Sequence, residues 1–63
     1  METKIKEFRR EQNLTQAELS AKSNVSRSII AQLESGTREV ITTDTMKKIA
    51  KALNKSVEEI FLL

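Results

Sequence analysis

Apolar positions recur along this chain at steps of three and four residues, the spacing of one helix face, so the pattern predicts five helices and no strands. In the first, about Thr3 to Gln12, Ile5 and Phe8 make the apolar step. Arg9, Arg10 and Glu11 form its solvent side, and Asn13, which tolerates left-handed backbone, ends it. Thr15-Gln16-Ala17-Glu18 has the S/T-x-x-E form of a capping box and opens a second helix that stops around Ser23-Asn24. Leu14 stands where a hydrophobic staple would, Ala17, Leu19 and Ser20 are the inner positions, and Asn24 suits a positive φ. A third helix begins at the N-cap Ser26, eleven residues after Thr15, and runs to about Ser35, with Gly36 as its stop. Its apolar face is Ile30 and Leu33, joined by Val25 from just before the cap. The opposite face carries Ser28, Ala31, Gln32 and Ser35, with Arg27 on its flank.

Residues 37 to 41 form a connection. The fourth helix, from Thr42 or Thr43 to Ala52 or Leu53, has Met46, Ile49, Ala50 and Leu53 at the i, i+3, i+4, i+7 spacing of a one-sided apolar face. Lys47, Lys48 and Lys51 fall on its solvated side, and Asn54 follows its end. Ser56-Val57-Glu58-Glu59 is a second capping box and opens a short fifth helix with Val57, Ile60 and Phe61 inward. The core expected from these faces is Ile5, Phe8, Leu14, Leu19, Val25, Ile30, Leu33, Met46, Ile49, Ala50, Leu53, Val57, Ile60 and Phe61.

Composition narrows the function. With 63 residues the chain, 1–63, is expected to be a single domain. It contains no cysteine and no histidine, which removes the usual zinc ligands, a histidine base and any disulfide. The expectations are no enzyme, no catalytic residue, no metal and no cofactor, in a reducing, cytoplasmic setting. No apolar run approaches the ~18 residues of a membrane span, and no secretory h-region stands at the N-terminus. The formal net charge of +2 is small, so the placing of charge matters more than its sum.

Two short helices joined by a turn of three or four residues, the second with a polar outer face, describe a helix-turn-helix, here at about 15–35. Spacing alone is a weak signal, and the residue identities add to it. Leu14-Thr15-Gln16-Ala17-Glu18-Leu19, Asn24-Val25-Ser26-Arg27-Ser28, Ile30 and Leu33-Glu34-Ser35-Gly36 resemble the Cro and phage-repressor (lambda-repressor-like) family of helix-turn-helix proteins. Ile49-Ala50-Lys51-Ala52-Leu53-Asn54-Lys55-Ser56-Val57-Glu58-Glu59-Ile60-Phe61 is similar to that family's closing segment. The resemblance covers nearly the whole chain. It implies an all-α, compact five-helix, lambda-repressor-like domain that binds double-stranded operator DNA as a homodimer and represses transcription. Three departures stand out: Ser23 where the family has a large apolar residue, Asn24 and Asn54 in place of glycines, and a connection, 37 to 41, without the family's proline.

The resemblance also implies roles. Gln16, beside Thr15 at the start of the second helix, bonds a phosphate and braces the recognition helix; a residue with no partner is the plainer alternative. Arg27, Ser28 and Gln32 occupy the base-reading positions, where Arg forks onto guanine O6 and N7 and Gln onto adenine N6 and N7. A merely solvated face fits their polarity equally well. Ile29 lies between core and outer face, and either meets a thymine methyl or packs at the rim to cover the gap at Ser23. Ser26 caps the third helix and also meets a phosphate, while Thr37 and Arg38 clamp the DNA backbone. Arg9 and Glu34 match the family's structural pair between the first and third helices. The apolar tail Ile60-Phe61-Leu62-Leu63 leaves Leu62 and Leu63 for a two-fold interface through the C-terminal helix region, or for a neighbouring domain. Two rival readings remain open: an antitoxin or accessory regulator acting mainly through a protein partner, and a structural module without DNA function.

Overall fold

Four hydroxyls start four of the five helices. In the computed structural model, which describes residues 1–62, the amides of Glu18, Ile29, Thr45 and Glu59 donate to the side-chain oxygens of Thr15, Ser26, Thr42 and Ser56 at 3.0, 3.2, 3.1 and 3.1 Å. At Thr15 and Ser56 the capping box is complete, because the Glu18 and Glu59 carboxylates accept the cap residue's own amide. Those bonds hold both carboxyls below the usual glutamate range, the backbone amide acting more strongly than the hydroxyl. The helices are α1 (Ile5–Glu11), α2 (Gln16–Ser23), α3 (Arg27–Ser35), α4 (Thr43–Leu53) and α5 (Val57–Phe61), and no strand occurs among the described residues.

Left-handed residues end the segments where asparagine and glycine stand. The φ values are 57° at Asn13, 60° at Asn24, 79° at Gly36 and 56° at Asn54. An ordinary L-residue resists this region by about 1–2 kcal/mol, and asparagine resists it less because its short amide can hydrogen-bond locally. Asn24→Ala is therefore expected to lower stability by at most about that much, whereas Asn24→Gly keeps or raises it. Equal melting temperatures for the Ala and Gly variants would show that the turn relaxes instead.

One core joins all five helices. Ile5, Leu19, Ile30, Leu33, Ile49, Leu53 and Ile60 are completely buried, with Val25, Ala50, Ala52 and Phe61 nearly so. Phe8, Leu14, Met46 and Val57 pack against this cluster while partly exposed, so the expected core is recovered with a half-open rim. The Lys55 ammonium lies 4.8 Å from the Phe8 ring centroid and shields that rim. Ala52 is the buried residue the apolar stripe did not include.

Three expectations change. α1 starts at Ile5, not Thr3, because the preceding residues are tied elsewhere: the Thr3 hydroxyl donates to the Leu33 carbonyl at 3.4 Å, and the Lys4 amide to that of Ile60 at 2.8 Å. Ala17 is exposed rather than inward, since it stands about 200° around the helix from the buried Leu19. Arg9 is buried rather than on the solvent side, because it follows Ile5 by four residues on the same face.

Candidate nucleic-acid interface

The geometry of α2 and α3 is set in the turn between them, residues 24 to 26. The Ser20 hydroxyl donates to the Val25 carbonyl at 2.6 Å, and the Val25 amide donates to the Ser23 hydroxyl at 3.3 Å. Two serines of α2 thus satisfy both backbone groups of the one apolar residue in the turn. The small residue at 23 is accordingly buried, with its hydroxyl used, and the shallow depression beside it is lined by Lys22, Asn24, Lys48, Lys51 and Ala52. Val25 is then held in the core just ahead of the Ser26 cap, which fixes where α3 begins.

From that start α3 divides cleanly. Ile30 and Leu33 are completely buried, whereas Arg27, Ser28, Gln32 and Ser35 are exposed and Ala31 is half-buried between them. The helix ends in a Gly36 stop, with the Thr37 amide donating to the Gln32 carbonyl at 3.1 Å. The exposed face therefore presents Arg27, Ser28 and Gln32 together along the first two turns.

A partly buried network ties the far side of α3 to α1 and α2. The Arg9 guanidinium forks onto Glu34, with Nε to Oε2 at 2.8 Å and Nη2 to Oε1 at 3.0 Å, and its Nη1 donates to the Leu14 carbonyl at 2.7 Å. The Gln16 amide nitrogen donates to Glu34 Oε1 at 3.2 Å. Burial pushes the Glu34 carboxyl up, but the bonds from Arg9 and Gln16, with the Arg9 and Lys6 charges, hold it below the usual glutamate range. The same pairing raises the Arg9 guanidinium further. Gln16 thus braces α3 from the first turn of α2, and its amide keeps a second N–H for another acceptor. Thr15 beside it is exposed, with its oxygen committed to the cap.

Side-chain hydrogen bonds hold the connection after α3. The Thr37 and Ser35 hydroxyls pair at 2.9 Å. Arg38 Nη1 donates to Gln32 Oε1 at 2.8 Å, and its Nε to the Val40 carbonyl at 3.0 Å. Ile29 does not reach the depression at Ser23. It is half-buried against the core and lines a cleft of about 80 Å³ with Arg38, Val40, Ile41, Thr42 and Thr45. Two cations that the sequence reading did not single out flank α3 on its other side. Lys6 and Arg10, on α1, line an open groove of about 300 Å³ with Gln16, Ala31 and Ser35, above the Arg9–Glu34 pair. Their signal was the i, i+4 spacing of two basic residues on the outer face of α1.

Among the described residues, no group of three or more carboxylates stands together as a metal site, and no helix is long and apolar enough to cross a membrane. The profile of the helix-turn-helix family matches residues 5–60. A protein of Archaeoglobus fulgidus named an uncharacterized HTH-type transcriptional regulator is 40% identical over 62 residues, spanning 98% of this chain and 86% of the relative. No solved structure matches.

Proposed function

The chain belongs to the helix-turn-helix family of transcriptional regulators, and on that premise we propose that it represses transcription by occupying an inverted-repeat operator as a homodimer. The observation that carries this reading is α3: one face completely buried, the other exposing Arg27, Ser28 and Gln32 in two consecutive turns. A helix placed so in a major groove offers a guanidinium, a hydroxyl and an amide to base edges. Backbone contacts would come from the remaining Gln16 N–H and the Thr15 and Ser26 caps, at helix starts where free amides favour an anion. Thr37 and Arg38 lie beside the last turn of α3, and Lys6 and Arg10 add positive charge along the opposite flank. Ile29, half-buried at the edge of the connection, favours a packing role over contact with a thymine methyl.

Each copy has a single recognition helix, and its longest dimension is 25 Å. Half-sites lie about 34 Å apart, one DNA turn, so reading two of them requires two copies. Leu62, 49% exposed beside α5, supplies apolar surface for that contact; Leu63, expected to share it, lies outside the described residues.

Selection of preferred duplexes from a randomised pool, at near-physiological salt, tests the proposal. Recovery of an inverted repeat with half-sites one turn apart is the expected result. Folded protein with no enrichment would overturn it and leave a protein partner as the target. Arg27→Ala should cost about 1–3 kcal/mol on the selected duplex and little on random DNA, because a bidentate base contact discriminates by that much. Equal losses on both would reduce Arg27 to a phosphate contact.

A further inference from the structure

The Arg38–Gln32 bond decides which way the Gln32 amide faces. A guanidinium carries only donors, so the atom it meets at 2.8 Å is the amide oxygen, and the amide nitrogen is turned away from it. The guanidinium is itself held, because its Nε donates to the Val40 carbonyl at 3.0 Å. The backbone around the pair is equally fixed: the Gln32 carbonyl accepts from the Thr37 amide at 3.1 Å and from the Ser35 hydroxyl at 3.1 Å. Gln32 is exposed and Arg38 half-exposed, so the pair stands at the surface, at the end of the polar face of α3.

Residue type alone assigns a groove glutamine to adenine, where the amide oxygen accepts from N6 and the nitrogen donates to N7. Here one of that oxygen's two lone pairs is already taken by a charge-assisted donor, the stronger class of hydrogen bond, which leaves it a poorer acceptor for adenine N6. What the pair presents outward is donors: the two N–H groups of Gln32 and the unused N–H groups of Arg38 Nη2. In the major groove the edge that offers two adjacent acceptors is that of guanine, through N7 and O6. Resting on the DNA-binding reading above, we propose that Gln32 reads guanine rather than adenine, and that Arg38 is the positioning residue that makes it do so. Arg38 then acts on sequence preference through Gln32, whereas the resemblance implies only a clamp on the DNA backbone.

The test uses the full chain and the duplexes recovered from the selection. Gln32→Ala first identifies the base pair whose preference it alone removes. At that pair wild type is expected to favour G over A by roughly 10-fold or more. Arg38→Ala, with its melting temperature checked against wild type, should lose most of that preference and gain tolerance of A. Preferences at the other positions should stay as they were. A wild-type preference for A at this pair would overturn the proposal. So would an Arg38→Ala variant that weakens every duplex equally while the salt dependence falls by about one released counterion, the mark of a phosphate contact. These outcomes leave DNA binding intact, whereas a folded protein that binds no duplex would remove both readings.

Discussion

Arg9→Ala is expected to remove a large share of the domain's folding stability. The Glu34 side chain is 4% exposed, and its partner Arg9 is 11% exposed. Removing one member of such a pair strands a charge in the interior, at a cost of about 3–5 kcal/mol. The Leu14 carbonyl loses its donor at the same time. Domains carry roughly 0.05–0.15 kcal/mol of stability per residue, so 63 residues give about 3–9 kcal/mol in all. Each kcal/mol lost lowers the melting temperature of a domain this small by roughly 4–8 °C. Arg9→Met combined with Glu34→Leu should recover the part of the loss that comes from the stranded charge, since an apolar pair of similar volume serves a buried site about as well as an ion pair, while the Leu14 carbonyl stays without its donor. An Arg9→Ala protein that melts within a few degrees of wild type would show that water reaches Glu34 and that the network is not structural.

The same network sets the response to acid. The Glu34, Glu18 and Glu59 carboxyls all sit below their usual values when folded. The stability they contribute is present above the unfolded glutamate value near ~4.3 and is lost as pH falls through the lower folded values. Wild type should therefore melt at progressively lower temperature below about pH 4. In Arg9→Ala the sign reverses at Glu34, because burial without its main partner disfavours the charged form. Protonation then relieves the variant, and the stability gap between the two proteins should narrow toward acid pH.

How far sequence carried the fold can be judged from particular residues. Thr15, Ser26 and Ser56 announced their helices because a cap is a local event, settled by a hydroxyl and an amide three residues apart. Asn24, Asn54 and Gly36 announced the stops for the same reason. Arg9 was legible in two conflicting ways: its charge argued for solvent, its match to the family's pair for contact with Glu34, and the burial of both side chains decided between them. Ser23 looked like a hole in the core, and its actual use, as acceptor for the Val25 amide, depends on how the turn closes. The outer face of α3 was readable as a set of residue types, Arg27, Ser28 and Gln32. The direction of the Gln32 amide was not, because it depends on Arg38, six residues away across a connection whose path no local rule dictates. Lys6 and Arg10 were likewise visible as charges, yet only packing placed them beside Gln16 and Ser35.

Ile30→Ala separates what holds α3 from what α3 reads. Ile30 is completely buried on the face opposite Arg27, Ser28 and Gln32. Truncating a buried isoleucine costs about 2–5 kcal/mol, through lost transfer energy and the cavity left behind. The melting temperature should fall by at least about 8 °C on the scale of roughly 4–8 °C per kcal/mol. The Ser26 cap and the Ser20–Val25 and Ser23–Val25 bonds still fix the start of the helix. Below the variant's own melting range its folded molecules should therefore keep the wild-type ratio of specific to random binding, and apparent affinity should drop only with the folded fraction. Arg27→Ala is expected to do the reverse, with melting near wild type and the ratio collapsed, because Arg27 is exposed and anchors nothing in the core. If Ile30→Ala instead changes sequence preference while folded, Ile30 sets the tilt of α3 as well as its stability, and the two faces of the helix are not independent.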